Sequence, residues 1–153
     1  DGSDIEAREE MIYASMFAGM AFTNGLVHVG HSIGHTLGAN FHIEHGLACA
    51  ATLPEVIQYA SKTEWKKVAM ICECLGEKVT DEATPEDIGK IARDALRRFL
   101  KSVGILNMKE LGLQLEDILK VAPLVTADSG MALAPYRLTA KGVAEILSSA
   151  FDA

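Results

Sequence analysis

The chain has 153 residues, of which 49% are hydrophobic and 23% are charged, a balance typical of one folded domain. Its formal net charge of -7 argues against a nucleic-acid partner and against binding to an anionic membrane surface. No apolar run approaches the ~20 residues of a membrane span, and the three cysteines fit a reducing compartment, so we predict a cytoplasmic location. Aromatic residues make up only 6%, while Ala, Leu and Met are plentiful, which favours helix over sheet.

The first predicted element is a helix that begins near Ile5. Apolar residues recur along it at helical spacing, and Ser3 or Asp4 is placed to cap its first turn. Asn24 and Gly25 break the pattern. Because alanines and a glycine keep this helix slim enough for close packing, we predict that it is buried at the centre of the domain.

Two helices with a short connection are predicted next. Residues 27–37 form the first, which we expect to end at Gly38 in the left-handed conformation, followed by a loop over residues 39–44. The second covers residues 45–59. We expect a kink at Pro54, since proline removes a backbone hydrogen bond from a helix interior.

Residues 63–104 contain two helix start signals. Thr63 is predicted to cap a helix that stops at Gly76. Residues 84–87, Thr-Pro-Glu-Asp, place threonine at the N-cap, proline at the first helical position and an acidic side chain three residues after the cap. The helix that follows is expected to end at Gly104.

The last third is predicted to hold two more helices. Residues 111–125 form one with Pro123 in its interior, and residues 126–136 form a loop. Thr139 caps a final helix that reaches Phe151. No stretch alternates with the period of two that a strand requires. We therefore predict an all-α fold, a helical bundle-like domain of six to eight helices.

Residues 25–46 contain every histidine of the chain: His28, His31, His35, His42 and His45. On a helix of 3.6 residues per turn, the first three project within about 60° of one another. His31 and His35 have the i,i+4 spacing at which two imidazoles reach one metal ion, and His45 follows a loop that can fold back toward them. A hydrogen-bonded or solvated imidazole is the commoner role for a single histidine. The cluster indicates a metal or catalytic site, with His28 and His42 predicted as bystanders.

Four sequence runs in this region resemble the iron-containing alcohol dehydrogenases. They are A-S-M-F-A-G-M-A-F-T-N at 14–24, H-S-I-G-H-T-L-G-A at 31–39, E-H-G-L-A at 44–48 and L-P at 53–54. The intervals of 4 and 10 residues that separate His31, His35 and His45 agree with the family pattern.

The resemblance implies a two-domain enzyme with an N-terminal nucleotide-binding domain and a C-terminal helical domain of the dehydroquinate-synthase-like type. Residues 1–153 are expected to be the latter alone, as a single all-helical metal-binding domain. By the family pattern, His31 and His45 match metal ligands and His35 matches a catalytic histidine beside nicotinamide and substrate. Phe22 and Val27 fall where the substrate pocket is lined.

The resemblance also implies the cofactors and the reaction. A divalent metal, iron or alternatively zinc, assists the NAD- or NADP-linked interconversion of a primary alcohol or diol and its aldehyde. The family's further ligands, an Asp-x-x-x-His pair, do not occur in this sequence, nor does a glycine-rich phosphate-binding segment. We therefore predict no cofactor-binding residue here, a separate N-terminal nucleotide-binding domain as partner, a homo-oligomer, and no activity for this chain alone.

Two other hypotheses stay open. The chain is alternatively a stand-alone histidine-rich helical module that binds a metal without enzymatic activity, or a structural domain whose histidines are incidental. The missing Asp-x-x-x-His pair favours the module. The match over residues 16–22, which contain no metal-binding residue of the pattern, favours the dehydrogenase.

Overall fold

A computed structural model describes residues 2–134, 136 and 138–153 of the chain. The described residues form seven α-helices and one 3-10 helix and include no strand, which confirms the predicted all-α fold of six to eight helices. In chain order they are α1 (Ile5–Gly25), α2 (Val29–Phe41), α3 (His45–Cys74), α4 (Pro85–Ser102), α5 (Leu115–Lys120), α6 (Ala122–Val125), the 3-10 helix (Ser129–Leu133) and α7 (Ala140–Ala150). None of the described helices combines the length and apolarity needed to cross a bilayer.

Helix α1 begins as predicted but is not buried. Asp4 caps it by accepting a hydrogen bond from the Ala7 N–H at 3.0 Å, and the helix ends at Gly25. The prediction of a buried central helix is wrong for this chain, because none of the 21 residues of α1 is buried. Its large apolar side chains face solvent, with Phe17 60% exposed. The described residues supply no surface to cover them.

Helix α2 runs four residues past the predicted end. Gly38 lies inside the helix instead of ending it, and His42 takes the left-handed conformation with φ 56°. The His42 N–H donates to the Gly38 carbonyl at 3.0 Å and closes the last turn. Gly38 serves packing, because a Cβ there would lie 3.2 Å from the Ile43 carbonyl oxygen. The connection to α3 shortens to three residues, 42–44.

Helix α3 joins two predicted helices into one of 30 residues. Pro54 lies in its interior as predicted, but in α3, which the structure describes completely, the non-helical dihedral angles are at Glu64 (φ -114°, ψ 30°). Thr63 does not cap a new helix, since its hydroxyl donates back to the Ala60 carbonyl at 3.5 Å. The interruption therefore lies ten residues beyond the kink expected at Pro54, and it adjoins Thr63, where the second of the two helices was predicted to begin.

Helix α4 confirms the predicted start signal and packs against α3. Thr84 and Asp87 form a reciprocal capping box with Pro85 in the first turn. Gly89 allows the closest approach, because a Cβ there would overlap the Ser61 hydroxyl and lie 3.0 Å from the Gln58 carbonyl oxygen. The crossing of these two helices depends on a residue without a side chain at this position.

The C-terminal third differs from the prediction between residues 111 and 136. Two short helices, α5 and α6, replace the single helix predicted over 111–125, with Pro123 in the first turn of α6. Proline favours that position because it has no N–H to donate. The predicted loop over 126–136 contains the 3-10 helix, while its Pro135 lies outside the described residues. Thr139 caps α7 by accepting from the Gly142 N–H, as predicted.

The main core lies between α2, α3, α7 and the short helices. Its fully buried side chains include Ile33 and Leu37 of α2, Val125 of α6 and Leu147 of α7. Each such burial removes apolar area worth about 1.5–3 kcal/mol from water. This core holds one face of α2, and it fixes the direction in which the histidines of the opposite face project.

Candidate metal and catalytic site

The structure brings His31, His35 and His45 into one cluster. The ring centroids of His31 and His45 are 5.3 Å apart, those of His35 and His45 are 5.3 Å apart, and those of His31 and His35 are 6.1 Å apart. His31 and His35 lie one turn apart on α2, and His45 is the first residue of α3. The predicted fold-back of the loop before His45 therefore occurs.

Small residues of α2 allow α3 to approach the cluster. A Cβ at Gly34 would lie 2.5 Å from the Cys49 sulfur and 3.5 Å from the Cys49 backbone nitrogen. A Cβ at Gly30 would contact Val56 at 3.6 Å. Glycine at position 34 is therefore required if the first turns of α2 and α3 are to lie this close together.

The chemistry of the donor atoms fits a divalent transition metal. His31, His45 and Cys49 each offer one ligand atom, and these three atoms lie within 4.8 Å of one another. Burial lowers the pKa of His31, and the neighbouring imidazoles of His45, His35 and His28 lower it further. A lowered pKa keeps the imidazole neutral, which is the form that binds a metal.

Asp128 holds the third histidine of the cluster. Its Oδ2 lies 3.1 Å from His35 Nδ1, and its Oδ1 accepts hydrogen bonds from the Ser32 hydroxyl and the Gly130 N–H, both at 2.8 Å. Burial is the largest influence on the pKa of this carboxyl group and raises it, but the hydrogen bonds from Gly130, Ser32 and His35 outweigh burial and the pKa is lowered. An ionised carboxylate therefore faces the His35 ring.

Sequence reasoning missed Asp128 as a site residue. It lies 93 positions from His35, in a segment predicted only as a loop. The available local signal was Asp128-Ser129-Gly130, in which the carboxylate caps the 3-10 helix by accepting from Gly130. That signal predicts a turn, but it does not predict that Asp128 contacts His35.

The two histidines predicted as bystanders lie outside the three-ring cluster. His28 precedes α2, and its Nδ1 is buried with no hydrogen-bond partner among the described residues. Burial lowers the pKa of His28. His42 is exposed at the C-terminal end of α2. Their bystander roles stay predictions.

The predicted substrate-pocket residues lie between α1 and α2. Phe22 is in the last turn of α1 and its side chain is 55% exposed. Val27 is half-buried in the three-residue connection that precedes α2. Their roles stay predictions.

A cavity of about 730 Å³ lies elsewhere, between α3, the start of α4 and α7. Glu55, Glu86 and Glu145 are among its lining residues, and none of the five histidines is. One lining residue, Glu55, forms an ion pair with Arg97, which also donates to the Ser149 carbonyl at 3.0 Å. This network links α3, α4 and α7, and we assign the cavity no part in the histidine site.

The fold and the cluster together define an all-helical domain that presents three histidines at the junction of two helices. Residues 1–151 match the family model described as "Fe-containing alcohol dehydrogenase family, C-terminal". The chain belongs to the Fe-containing alcohol dehydrogenase family and corresponds to the C-terminal part of its members. The predicted family resemblance is thereby confirmed.

Individual relatives agree with this membership. The chain is 35% identical to the 1,3-propanediol dehydrogenase of Citrobacter freundii and 34% identical to the NAD-dependent methanol dehydrogenase of Bacillus methanolicus, in each case over 151 residues. Both matches cover 98% of this chain and 39% of the relative. The chain therefore spans about two fifths of the length of these relatives.

Solved structures share the fold. The crystal structure of a 1,3-propanediol oxidoreductase superimposes with a TM-score of 0.88 at 33% identity, over 98% of this chain and 39% of that one. An alcohol dehydrogenase from Oenococcus oeni superimposes with a TM-score of 0.89 at 28% identity, over 99% and 39%. The all-helical architecture is that of the matching part of these enzymes.

Proposed function

We propose that this chain is the metal-holding part of a dehydrogenase that interconverts a primary alcohol or diol and its aldehyde with NAD or NADP. The observation that carries the proposal is the convergence of His31, His35 and His45 in a member of this family. Three imidazoles at mutual distances of 5.3 to 6.1 Å can hold a divalent cation and move a proton, and a purely structural domain has no need of them.

His31 and His45 hold the divalent cation in this proposal, with iron as the first candidate and zinc as the second. A divalent cation bound there supplies a Lewis acid that makes an alcohol easier to deprotonate. His31 contributes a neutral imidazole from α2, and His45 contributes one from the start of α3. Hydride transfer is chemistry of the nicotinamide, so the protein's share is positioning and charge stabilisation.

His35 moves the proton in this proposal. Its ring is 46% exposed and its Nδ1 faces the ionised Asp128. A hydrogen bond donated by the Nδ1–H to Asp128 Oδ2 leaves Nε2 as the nitrogen that exchanges protons with substrate or water. Asp128 positions the ring and stabilises its protonated form.

The remaining parts of the enzyme are proposed to lie outside this chain. The relatives are about two and a half times as long, so the nucleotide-binding domain and the further metal ligands have room there. We propose that Phe22 and Val27 line the substrate pocket between the two domains, that the enzyme forms a homo-oligomer, and that it is cytoplasmic. The three free cysteines support the last point.

A chimaeric enzyme tests this function. Residues 1–151 replace the matching 39% of the Citrobacter freundii 1,3-propanediol dehydrogenase, and NAD-linked oxidation of 1,3-propanediol is measured with iron or zinc supplied. We expect activity in the chimaera, its loss in His31→Ala and His45→Ala, and its retention in His42→Ala. We expect no turnover by the isolated chain. A folded, metal-loaded chimaera without activity would contradict the proposed function, and turnover by the isolated chain would contradict its dependence on a second domain.

One observation favours a second candidate function, a stand-alone metal-binding module. His31, His45 and Cys49 all belong to this chain, so a three-donor cluster exists without a second domain. Both candidates are expected to bind a divalent metal, so metal binding alone does not distinguish them. Activity of the chimaera separates them, because a module has no reason to support alcohol oxidation in a foreign enzyme.

A further inference from the structure

Cys49 stands beside the two proposed metal ligands. It lies one turn after His45 on α3, and its sulfur is 3.7 Å from His45 Nε2. The sulfur also belongs to the group of three ligand atoms within 4.8 Å of one another. Its other polar contact is weak, a distance of 3.9 Å to the Gly30 carbonyl oxygen. The thiol therefore faces the imidazoles at the site and forms no disulfide.

The distance between sulfur and nitrogen suits a shared cation. Bonds of about 2.0–2.1 Å to nitrogen and about 2.3 Å to sulfur, at tetrahedral angles, place the two donor atoms about 3.6 Å apart. The observed 3.7 Å agrees with that value. Two residues at i and i+4 on a helix face the same way, so His45 and Cys49 reach one ion without rearrangement of the backbone.

The neighbouring helix leaves room for this sulfur. The Cys49 sulfur occupies the space where a side chain at position 34 would begin, since a Cβ at Gly34 would lie 2.5 Å from it. Burial raises the pKa of the Cys49 thiol, so without a metal the group is a neutral thiol. Packing therefore holds the Cys49 thiol in place. Among the described residues, its hydrogen-bond contacts are the long ones to His45 and to the Gly30 carbonyl.

We propose that Cys49 is a third ligand of the cation bound by His31 and His45. This inference rests on the proposed metal site. On binding, the S–H proton leaves to solvent and a sulfur–metal bond forms, with no change of oxidation state. A donor set of two imidazoles and one thiolate selects zinc or cobalt over magnesium, whose preferred ligands are oxygens.

Cobalt(II) titration of the full 153-residue chain tests the inference. Visible d–d bands report cobalt in a low-coordinate site, and an intense near-ultraviolet thiolate-to-cobalt charge-transfer band reports a cysteine ligand. We expect both in the wild type. We expect loss of the charge-transfer band in Cys49→Ala and in Cys49→Ser, and its full retention in Cys74→Ala, which removes an exposed cysteine elsewhere. Zinc is expected to displace the cobalt, and magnesium is not.

The outcomes separate the inference from the proposed function. Wild-type d–d bands that vanish in His31→Ala, without any charge-transfer band, would overturn the role of Cys49 and leave the histidine site standing. A charge-transfer band unchanged in Cys49→Ala would also overturn it. No cobalt binding by the wild type would overturn both. Far-ultraviolet circular dichroism verifies that each variant is folded.

Alkylation supplies a test without any substitution. Iodoacetamide labelling of the wild type is followed by mass spectrometry of the peptides with and without saturating zinc. A coordinated thiolate is shielded, so we expect Cys49 to react at least about tenfold more slowly with zinc present. Cys74 is the internal control and should react at the same rate in both samples. Equal rates at Cys49 would overturn the inference.

Discussion

At the scale of single residues, Asp128 connects the histidine cluster to the rest of the fold. One carboxylate oxygen faces His35, and the other binds the start of α2 through Ser32 and the 3-10 helix through Gly130. A Cβ at Gly130 would lie 2.7 Å from the Ser32 hydroxyl, so the two segments meet without space for a side chain. The orientation of His35 is thereby fixed by residues from two distant parts of the sequence.

Asp128→Asn is expected to destabilise the domain in a pH-dependent way. The pKa of Asp128 is lowered from 3.8 in the folded state, so its stabilisation is complete well above that value and is lost as pH falls through the lower folded pKa. Asparagine can still accept from Ser32 and Gly130 but carries no charge toward His35. We expect a loss of about 1–2 kcal/mol at neutral pH, with the difference from the wild type shrinking below about pH 4.

Urea unfolding at several pH values measures this effect. Asp81→Asn, in the exposed loop before α4, is the matched control and should stay within about 0.5 kcal/mol of the wild type. A difference between Asp128→Asn and the wild type that does not shrink below about pH 4 would show that the ionised carboxylate is not the stabilising form.

The histidines were predictable from the sequence and Asp128 was not. The spacing of His31 and His35 fixes their common side of a helix, because 3.6 residues per turn is a local rule. His45 required only a short connection. Asp128 reaches His35 through the packing of α2 against the C-terminal third, and no local rule predicts a contact 93 residues away. Cys49 entered the sequence analysis only as one of three cysteines that fit a reducing compartment.

At the scale of elements, the start of α4 is determined by its own sequence. Thr84 accepts from the Asp87 N–H, and the Asp87 carboxylate accepts from the Thr84 N–H, so two backbone donors and their partners lie within four residues. Such local signals were predicted correctly at α1, α4 and α7. Helix ends that depend on packing were predicted less well, as Gly38 shows: its missing side chain accommodates the Ile43 carbonyl inside a longer α2.

Thr84→Ala is expected to lower the free energy of unfolding by about 1 kcal/mol, because the N-cap hydroxyl is lost. The measurement is chemical denaturation followed by circular dichroism. Thr80→Ala, an exposed loop threonine four residues earlier, is the control and should have little effect. Equal effects of the two substitutions would argue that the capping box contributes nothing to stability.

Gly89→Ala is expected to destabilise the pairing of α3 and α4. A methyl group at this position would overlap the Ser61 hydroxyl and crowd the Gln58 carbonyl, so a loss of about 1–3 kcal/mol is expected. Gly19→Ala in α1 is the opposite case, because the nearest atom is 4.0 Å away and alanine is the better helix former. We expect thermal unfolding to show a lower midpoint for Gly89→Ala alone. A neutral Gly89→Ala would contradict the close approach of these helices.

At the scale of the whole molecule, α1 is the part of this chain without a packing partner among the described residues. Phe17, Met20 and Met11 are each more than half exposed, and at about 100° per residue Met11 and Met20 project from opposite sides of the helix. The sequence predicted a closely packed α1, which the described residues do not show. It did not indicate which surface covers α1, since helical periodicity does not say whether the covering residues belong to the same chain.

Self-association of the isolated chain is the expected consequence of this apolar helix. Sedimentation velocity over a range of concentrations should show assemblies larger than a monomer. Phe17→Glu should reduce them, because it introduces a charge into the exposed apolar surface. Glu9→Gln is a control on the polar part of the same helix. A wild-type chain that stays monomeric at all concentrations, or a Phe17→Glu variant that associates equally, would contradict the role given to α1.

The all-helical fold was predictable because the sequence signals for a helix recur in every part of the chain. Low aromatic content, capping residues and apolar periodicity all pointed to helices, and an error at one boundary did not alter the others. The break in α3 is an instructive exception. Pro54 was expected to kink the helix, yet the non-helical dihedral angles are at Glu64, where α3 packs along α4. The proline is accommodated within the helix, and the break falls beside Thr63, where the sequence predicted the start of a new helix.

The central claim is that His31 and His45 hold a divalent transition metal, and calorimetric titration of the chain with zinc tests it most directly. We expect one site per chain and an affinity reduced at least about tenfold, about 1.4 kcal/mol, by His31→Ala and by His45→Ala. His42→Ala, which removes an exposed histidine outside the cluster, should bind as the wild type does. Equal affinities for all three variants, or no binding by the wild type, would contradict the metal site on which the proposed function depends.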